Sequence, residues 1–260
     1  MRIVVKVGTS TLMHETGKLN IRRIKTLCEV LSDLKNAGHE IILVSSGAIG
    51  MGRSKLLLTE RPTDMPTKQA AAAVGQCELM YTYDKLFSEY RHTVAQILLT
   101  EDDVDDPARK DNFTNTVERL LTLGAVPVIN ENDTVATQEI SIGDNDTLAA
   151  IAAANVRADL LVLLSDIDGL YTADPHKDPN AVLLGEVREI DDHIRAIATG
   201  SASSFGTGGM ATKIRAAEIA GEKGIDTVIA RGDDPAVLYD IVDGKPRGTR
   251  FIGRKQYDDR

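Results

Sequence analysis

Val128-Ile-Asn-Glu-Asn-Asp-Thr-Val-Ala136, with Gly143-Asp-Asn-Asp146 one short hairpin later, is the stretch that decides the fold. An apolar run that ends in amides and carboxylates reads as the carboxyl end of a buried strand, the place where open α/β sheets bind their ligands. Turn chemistry accounts for part of the pattern: Asn132-Asp133 and Asp144-Asn145 suit turns, and Asp146 suits a cap on the Ala-rich helix that follows. Two such clusters flanking Ile140-Ser-Ile142 exceed what two turns need, so Asp133, Asn145 and Asp146 form the candidate polar centre.

On both sides of this stretch, strand and helix patterns alternate. Ile3 to Val7 is a short apolar run stopped by Gly8-Thr-Ser, read as a strand. Asn20 caps a helix whose apolar positions Ile21, Ile24, Leu27, Cys28, Leu31 and Leu34 keep helical spacing, with Gly38 as its stop. Strands are expected at 40–44, 93–99, 126–130, 160–165 and 227–230, with a strand-like stretch at 182–190. Helices are expected from Ala48 and at 67–90, 112–123, 147–155, 191–198 and 210–223. This order predicts an α/β fold: a three-layer α/β/α sandwich on a largely parallel central sheet. No linker interrupts it, so residues 1–253 read as one domain and 254–260 as a polar tail.

The 260 residues are 42% hydrophobic, enough for a full core, and only 4% aromatic with no Trp, which suits helices on a parallel sheet better than a β-sandwich. A formal charge of −9 argues against nucleic acid or anionic membrane as partners. The chain opens directly into Arg2-Ile-Val-Val-Lys-Val7 without a signal-peptide layout, and no apolar run approaches the ~20 residues of a membrane span, so the reading is cytoplasmic. Cys28 and Cys77 fit neither a metal spacing nor a disulfide framework, and the five histidines are scattered. The acidic run Glu101 to Asp106 reads as a solvated helix start.

Three further places suggest an anion site. Lys6 interrupts an apolar strand just before Gly8-Thr9-Ser10, small residues that let backbone N–H groups approach a phosphate; the plainer alternative is a lysine that snorkels outward. Ser45-Ser46-Gly47-Ala48 joins a strand to a helix, an ordinary cap or an anion-binding helix start. Phe205-Gly-Thr-Gly-Gly-Met-Ala-Thr-Lys213 brings a glycine loop and Lys213 to a helix N-terminus. It is not a Walker A loop, because Thr212 stands where that pattern needs Gly, and no GxGxxG follows the first strand. Ser165-Asp166 closes another apolar strand, a position suited to the floor of a nucleotide pocket.

Taken together, Val4-Val-Lys-Val-Gly-Thr-Ser10, Val44-Ser-Ser-Gly-Ala-Ile49, Pro127-Val-Ile-Asn-Glu-Asn-Asp133, Gly143-Asp-Asn-Asp146, Gly169-Leu-Tyr-Thr-Ala-Asp-Pro175 and Gly206-Thr-Gly-Gly-Met-Ala-Thr-Lys213 resemble the amino acid kinase family, within it the members that phosphorylate glutamate. The resemblance covers nearly the whole chain. It implies ATP-dependent phosphorylation of the γ-carboxylate of L-glutamate, the first step of proline synthesis, with glutamate in the amino-terminal half and MgATP in the carboxyl-terminal half. It implies glutamate contacts at Ser46, Gly47, Asp133 and Asn145. It implies ATP contacts at Lys6, Ser165, Asp166 and the loop Thr207, Gly208, Gly209, Met210, Ala211, Thr212 and Lys213. Lys6 and Lys213, with backbone N–H groups of the Gly8 and Ser46 loops, would neutralise the transferred group, while Asp146 holds the lysines and acts on Mg²⁺. Metal ligands are not assigned. Homo-oligomers and feedback inhibition by proline are further implications. Many members continue into a PUA domain, whereas this sequence stops shortly after Gly253. The rival readings are another amino acid kinase, such as acetylglutamate kinase, and a catalytically silent sensor on the same fold.

Overall fold

A computed structural model describes residues 1–136, 144–175, 177–199 and 209–254. The hairpin expected around Ile140-Ser-Ile142, together with Gly143, Thr207, Gly208 and the tail from Lys255, lies outside the described residues.

In chain order the elements are β1 Arg2–Val7, α1 Thr9–Leu12, α2 Ile21–Asn36, β2 Glu40–Ser45, α3 Ala48–Lys55, α4 Met65–Ser88, β3 Val94–Leu99, α5 Glu101–Asp105, α6 Pro107–Thr122, β4 Val126–Glu131, α7 Asn145–Asn155, β5 Leu160–Ser165, β6 Glu186–Val187, α8 Asp192–Thr199, α9 Met210–Gly221, β7 Asp226–Arg231, α10 Val237–Val242 and β8 Thr249–Phe251. The strands form one eight-stranded sheet in the order β3-β4-β2-β1-β5-β7-β8-β6. All neighbours pair parallel except β7 and β8, so β8 and β6 run against the rest. Beyond β1 on one side come β2, β4 and β3; beyond it on the other come β5 and β7. The winding therefore reverses between β1 and β5, and the carboxyl ends of those two strands flank the crevice where such sheets hold ligands.

The alternation of side chains along a strand sorts the core into two layers. Ile3, Val5 and Val7 pack with Ile24, Leu27 and Leu31 of α2. Val4 faces the other way, with Leu148 and Ala152 of α7 and Ile214 and Ala217 of α9. Each fully buried Val, Leu or Ile adds roughly 1.5–3 kcal/mol against the entropy of ordering the chain. Lys6 shares its face with Val4, so it projects toward α7 and α9 rather than toward solvent.

Small residues bring the helices of the site close together. Ala149, Ala150, Ala152 and Ala153 of α7 and Ala216, Ala217 and Ala220 of α9 are buried, which sets the first turns of these two helices side by side. On the opposite layer a Cβ at Gly75 of α4 would fall 1.7 Å from the Ala48 carbonyl oxygen, and one at Gly52 of α3 would fall 1.8 Å from that of Ala71. Backbone thus touches backbone, and the start of α3 is fixed against α4 to a degree that no larger side chain would permit.

Several expected boundaries shift. The helix expected from Asn112 begins at Pro107, where Asp106 caps it and proline takes a first-turn position that needs no N–H donor. The acidic run, read as a helix start, forms the short helix α5, opened by a capping box between Thr100 and Asp103. Of the strand-like stretch 182–190, only β6 pairs as a strand. No described helix is long and apolar enough to cross a membrane.

Candidate active site

Asp146 is fully buried at the second position of α7, and two lysines from distant parts of the sequence close on it. Lys6 Nζ lies 2.7 Å from Oδ1 and Lys213 Nζ lies 3.0 Å from Oδ2. The Lys213 contact is a directed hydrogen bond, while the Lys6 contact is an ion pair outside hydrogen-bonding angles. Thr212 Oγ1 adds a hydroxyl 3.0 Å from Oδ2. Burial pushes the Asp146 carboxyl up, but the two ammonium groups outweigh it and hold the group at about 2. The N-terminus of α7 favours the same charge. Lys6 and Lys213 are both buried, so two cations share one carboxylate and the cluster keeps one net positive charge.

The cluster opens toward the β1–α1 loop, since a Cβ on Gly8 would lie 3.5 Å from Lys6 Nζ. The first-turn amides of Thr9 and Ser10 are not used by the i→i−4 bonds of α1. Ser165, at the carboxyl end of β5, is buried and donates to Asp166 Oδ1 at 3.1 Å, while Asp166 itself is exposed. Gly209 caps α9 without a side-chain bond, Met210 sinks into the core, Ala211 is exposed and Thr212 turns to Asp146.

On the other side of Asp146 lie the residues expected to hold an amino acid. Asn145 Nδ2 meets Ser46 Oγ at 2.8 Å and Asn130 Oδ1 at 2.9 Å. Gly47 caps α3 with φ 106°, a backbone that favours glycine. Asp133 lies just beyond β4 and makes no ion pair among the described residues. Burial, reinforced by the charge of Glu131, pushes its carboxyl up to about 6. The site thus contains one carboxylate held ionised by cations and another poorly solvated and awaiting one.

Three expectations need correction. Asp144, not Asp146, caps α7, accepting from the Thr147 N–H at 2.8 Å, which frees Asp146 for the lysines. The Ser46 N–H is not available to an anion, because it donates to the Val7 carbonyl oxygen at 3.0 Å. Nor does Asp146 fit a Mg²⁺ ligand: both its oxygens face ammonium groups that would repel a dication. Among the described residues no group of three His, Cys, Asp or Glu could hold a metal. Sequence reasoning passed over Asn130 and Gln76, buried amides that bond each other at 2.9 Å behind Asn145. A polar residue facing the sheet from the middle of α4 was the available signal for Gln76. A separate cavity of about 490 Å³, lined by Arg195, Arg215, Arg254 and Phe251 among others, runs toward the carboxyl end of α9 and includes none of these residues.

The amino acid kinase family model matches residues 1–231. A glutamate 5-kinase of Listeria welshimeri is 50% identical over 259 residues, covering 98% of this chain and 94% of the relative. A glutamate 5-kinase of Clostridium perfringens is 49% identical over 258 residues, covering 98% and 96%. Among solved structures, carbamate kinase from Giardia lamblia bound to AMP-PNP superposes with a TM-score of 0.70 at 17% identity, covering 96% of this chain and 98% of that one. UMP kinase from Bacillus anthracis gives 0.64 at 14%, covering 97% and 96%. At such identities the structural likeness speaks for the fold.

Proposed function

The chain belongs to the amino acid kinase family, and from that premise we propose that it transfers the γ-phosphoryl group of ATP to the γ-carboxylate of L-glutamate, giving ADP and L-glutamyl 5-phosphate. The observation that carries the reading is the pair of buried lysines on one buried carboxylate. The relatives named glutamate 5-kinase support glutamate as acceptor.

The chemistry needs little from the protein except charge. A γ-carboxylate with a pKa near ~4.3 is already ionised at neutral pH, so no general base is required. One of its oxygens attacks the γ-phosphorus, the bond to the β,γ-bridging oxygen breaks, and ADP leaves with that electron pair; no proton moves. The barrier is the approach of two anions, and the transition state spreads charge over the phosphoryl oxygens. Lys6 and Lys213 would neutralise that charge, and Asp146 keeps the two ammonium groups side by side without mutual expulsion. Ser46 and Asn145 would orient the amino acid, and Asp133 would pair with its ammonium group. Ser165, Asp166 and the start of α9 line the nucleotide side. This division gives the amino-terminal half to glutamate and the carboxyl-terminal half to ATP.

Glutamate-dependent ADP release, compared with N-acetylglutamate, tests the assignment. A free ammonium suits Asp133, so glutamate is the expected substrate, and a preference for the acetylated compound would reject it. The pH profile is a second check. Ammonium binding needs the Asp133 carboxylate, which in the free protein takes up a proton as pH falls through about 6. The kcat/KM for glutamate is therefore expected to be level above about pH 7 and to fall about tenfold per unit below about 6, well before the substrate's own carboxylate titrates. A level profile down to pH 5 would remove Asp133 from this role.

A further inference from the structure

Behind Asn145 the side chains of Asn130, Gln76 and Gln96 form a chain of amides whose direction is set at one point. The Glu131 backbone N–H can only donate, and it meets Asn130 Oδ1 at 2.9 Å. Asn130 therefore presents Nδ2 to Gln76 Oε1 at 2.9 Å, and Gln76 Nε2 in turn donates to Gln96 Oε1 at 3.2 Å. On the near side, Asn130 Oδ1 also accepts from Asn145 Nδ2 at 2.9 Å. The same nitrogen faces the Ser45 carbonyl oxygen at 3.4 Å, an atom that can only accept. Turning the Asn145 amide over would oppose oxygen to oxygen at both contacts.

The consequence falls on Asn145 Oδ1, which is buried and has no hydrogen-bond partner among the described residues. An unpaired buried acceptor costs roughly 1–3 kcal/mol, a cost that a ligand donor would remove. Gln76 is itself buried and lines a small cleft together with Asp133, Glu131 and Ala48. We propose that Gln76 is a positioning residue for the amino-acid substrate: by accepting from Asn130 Nδ2 it holds in place the amide whose direction the Glu131 N–H sets, and so keeps Asn145 seated with its carbonyl oxygen toward the substrate, as a second acceptor for the ammonium group that Asp133 neutralises. The proposal rests on the glutamate reading above. It assigns Gln76 no contact with reacting atoms, so its effect belongs in substrate binding rather than in turnover.

Steady-state kinetics of the full chain test it. Gln76→Met, similar in volume but without an acceptor, is expected to raise the KM for glutamate by about tenfold, with kcat and the KM for ATP within about twofold of wild type. Gln76→Glu keeps an acceptor toward Asn130, and Gln96 can turn its own amide to donate to it, so the KM should return to within about threefold. If thermal unfolding shows that Gln76→Met does not fold, Gln76→Asn, one methylene too short to reach Asn130, takes its place with the same expected rise. An unchanged KM in the acceptor-free variant, or an equal rise in the Glu and Met variants, would overturn the positioning role while leaving the enzyme a glutamate kinase. A wild-type protein that releases no ADP with glutamate would instead sink the proposed function, and this role with it.

Discussion

Lys213→Ala is expected to lower kcat by about 10³-fold while leaving the KM for glutamate within a few-fold of wild type. The size follows from the position: Lys213 is a buried cation preorganised beside the transferred group, and removal of one such donor typically costs 10²–10³ in turnover. Here a full charge is lost, and the cluster falls from one net positive charge to none. Glutamate binding is spared because Ser46 and Asp133 stand on the β2 and β4 sides of the crevice, away from α9. The variant also leaves Asp146 buried with Lys6 as its remaining cation, and breaking a buried pair costs about 3–5 kcal/mol of stability. Kinetics should therefore be measured well below its melting temperature. Normal turnover in a folded Lys213→Ala protein would contradict the scheme.

Asp133→Asn carries the second large effect, with opposite signs for activity and stability. Losing the charge partner of a buried ammonium is expected to raise the KM for glutamate by about 10²-fold or more. The same change should stabilise the ligand-free protein. The Asp133 carboxyl stands at about 6 against an ordinary 3.8, so the native state binds its proton more tightly than the unfolded chain does. Stability is then unaffected below pH 3.8, declines as pH rises from about 4 to about 6, and above that bears a cost of about 3 kcal/mol. Asn removes that cost at pH 7 and offers no gain at pH 4, which melting curves at the two pH values would reveal. Asp146 behaves in the opposite way. Its folded value of about 2 means that its contribution is full above about pH 4 and is lost as pH falls toward 2. Two carboxylates on either side of one crevice are thus distinguished by what surrounds them.

That distinction marks where the sequence stopped being readable. The strands were legible because runs such as Leu160 to Leu164 are apolar throughout, as strands covered on both faces must be. Lys6 was legible as a charge in such a run, but its face, shared with Val4 toward α7 and α9, came only from the structure. What one-dimensional pattern could not supply was the partner: Asp146 reads equally well as a cap until Asp144 is seen to fill that position. The Ser46 loop looked like an anion cradle because a strand-to-helix junction usually leaves its amides free, yet Val7 of the neighbouring strand takes this one. Short elements such as α1, α10 and β8 were missed because they hold too few residues to show a period. Gln76 showed only as a polar residue in the middle of α4, since its meaning depends on Asn130, which is 54 residues away.

Whether two lysines shield phosphoryl transfer onto a carboxylate is decided by measuring ADP release and hydroxamate formation together in the presence of glutamate and hydroxylamine. Hydroxylamine captures an acyl phosphate as the hydroxamate. Glutamyl hydroxamate is expected in step with ADP for the wild type, and almost none of either for Lys213→Ala. ADP without hydroxamate, or equal yields from the two proteins, would contradict it.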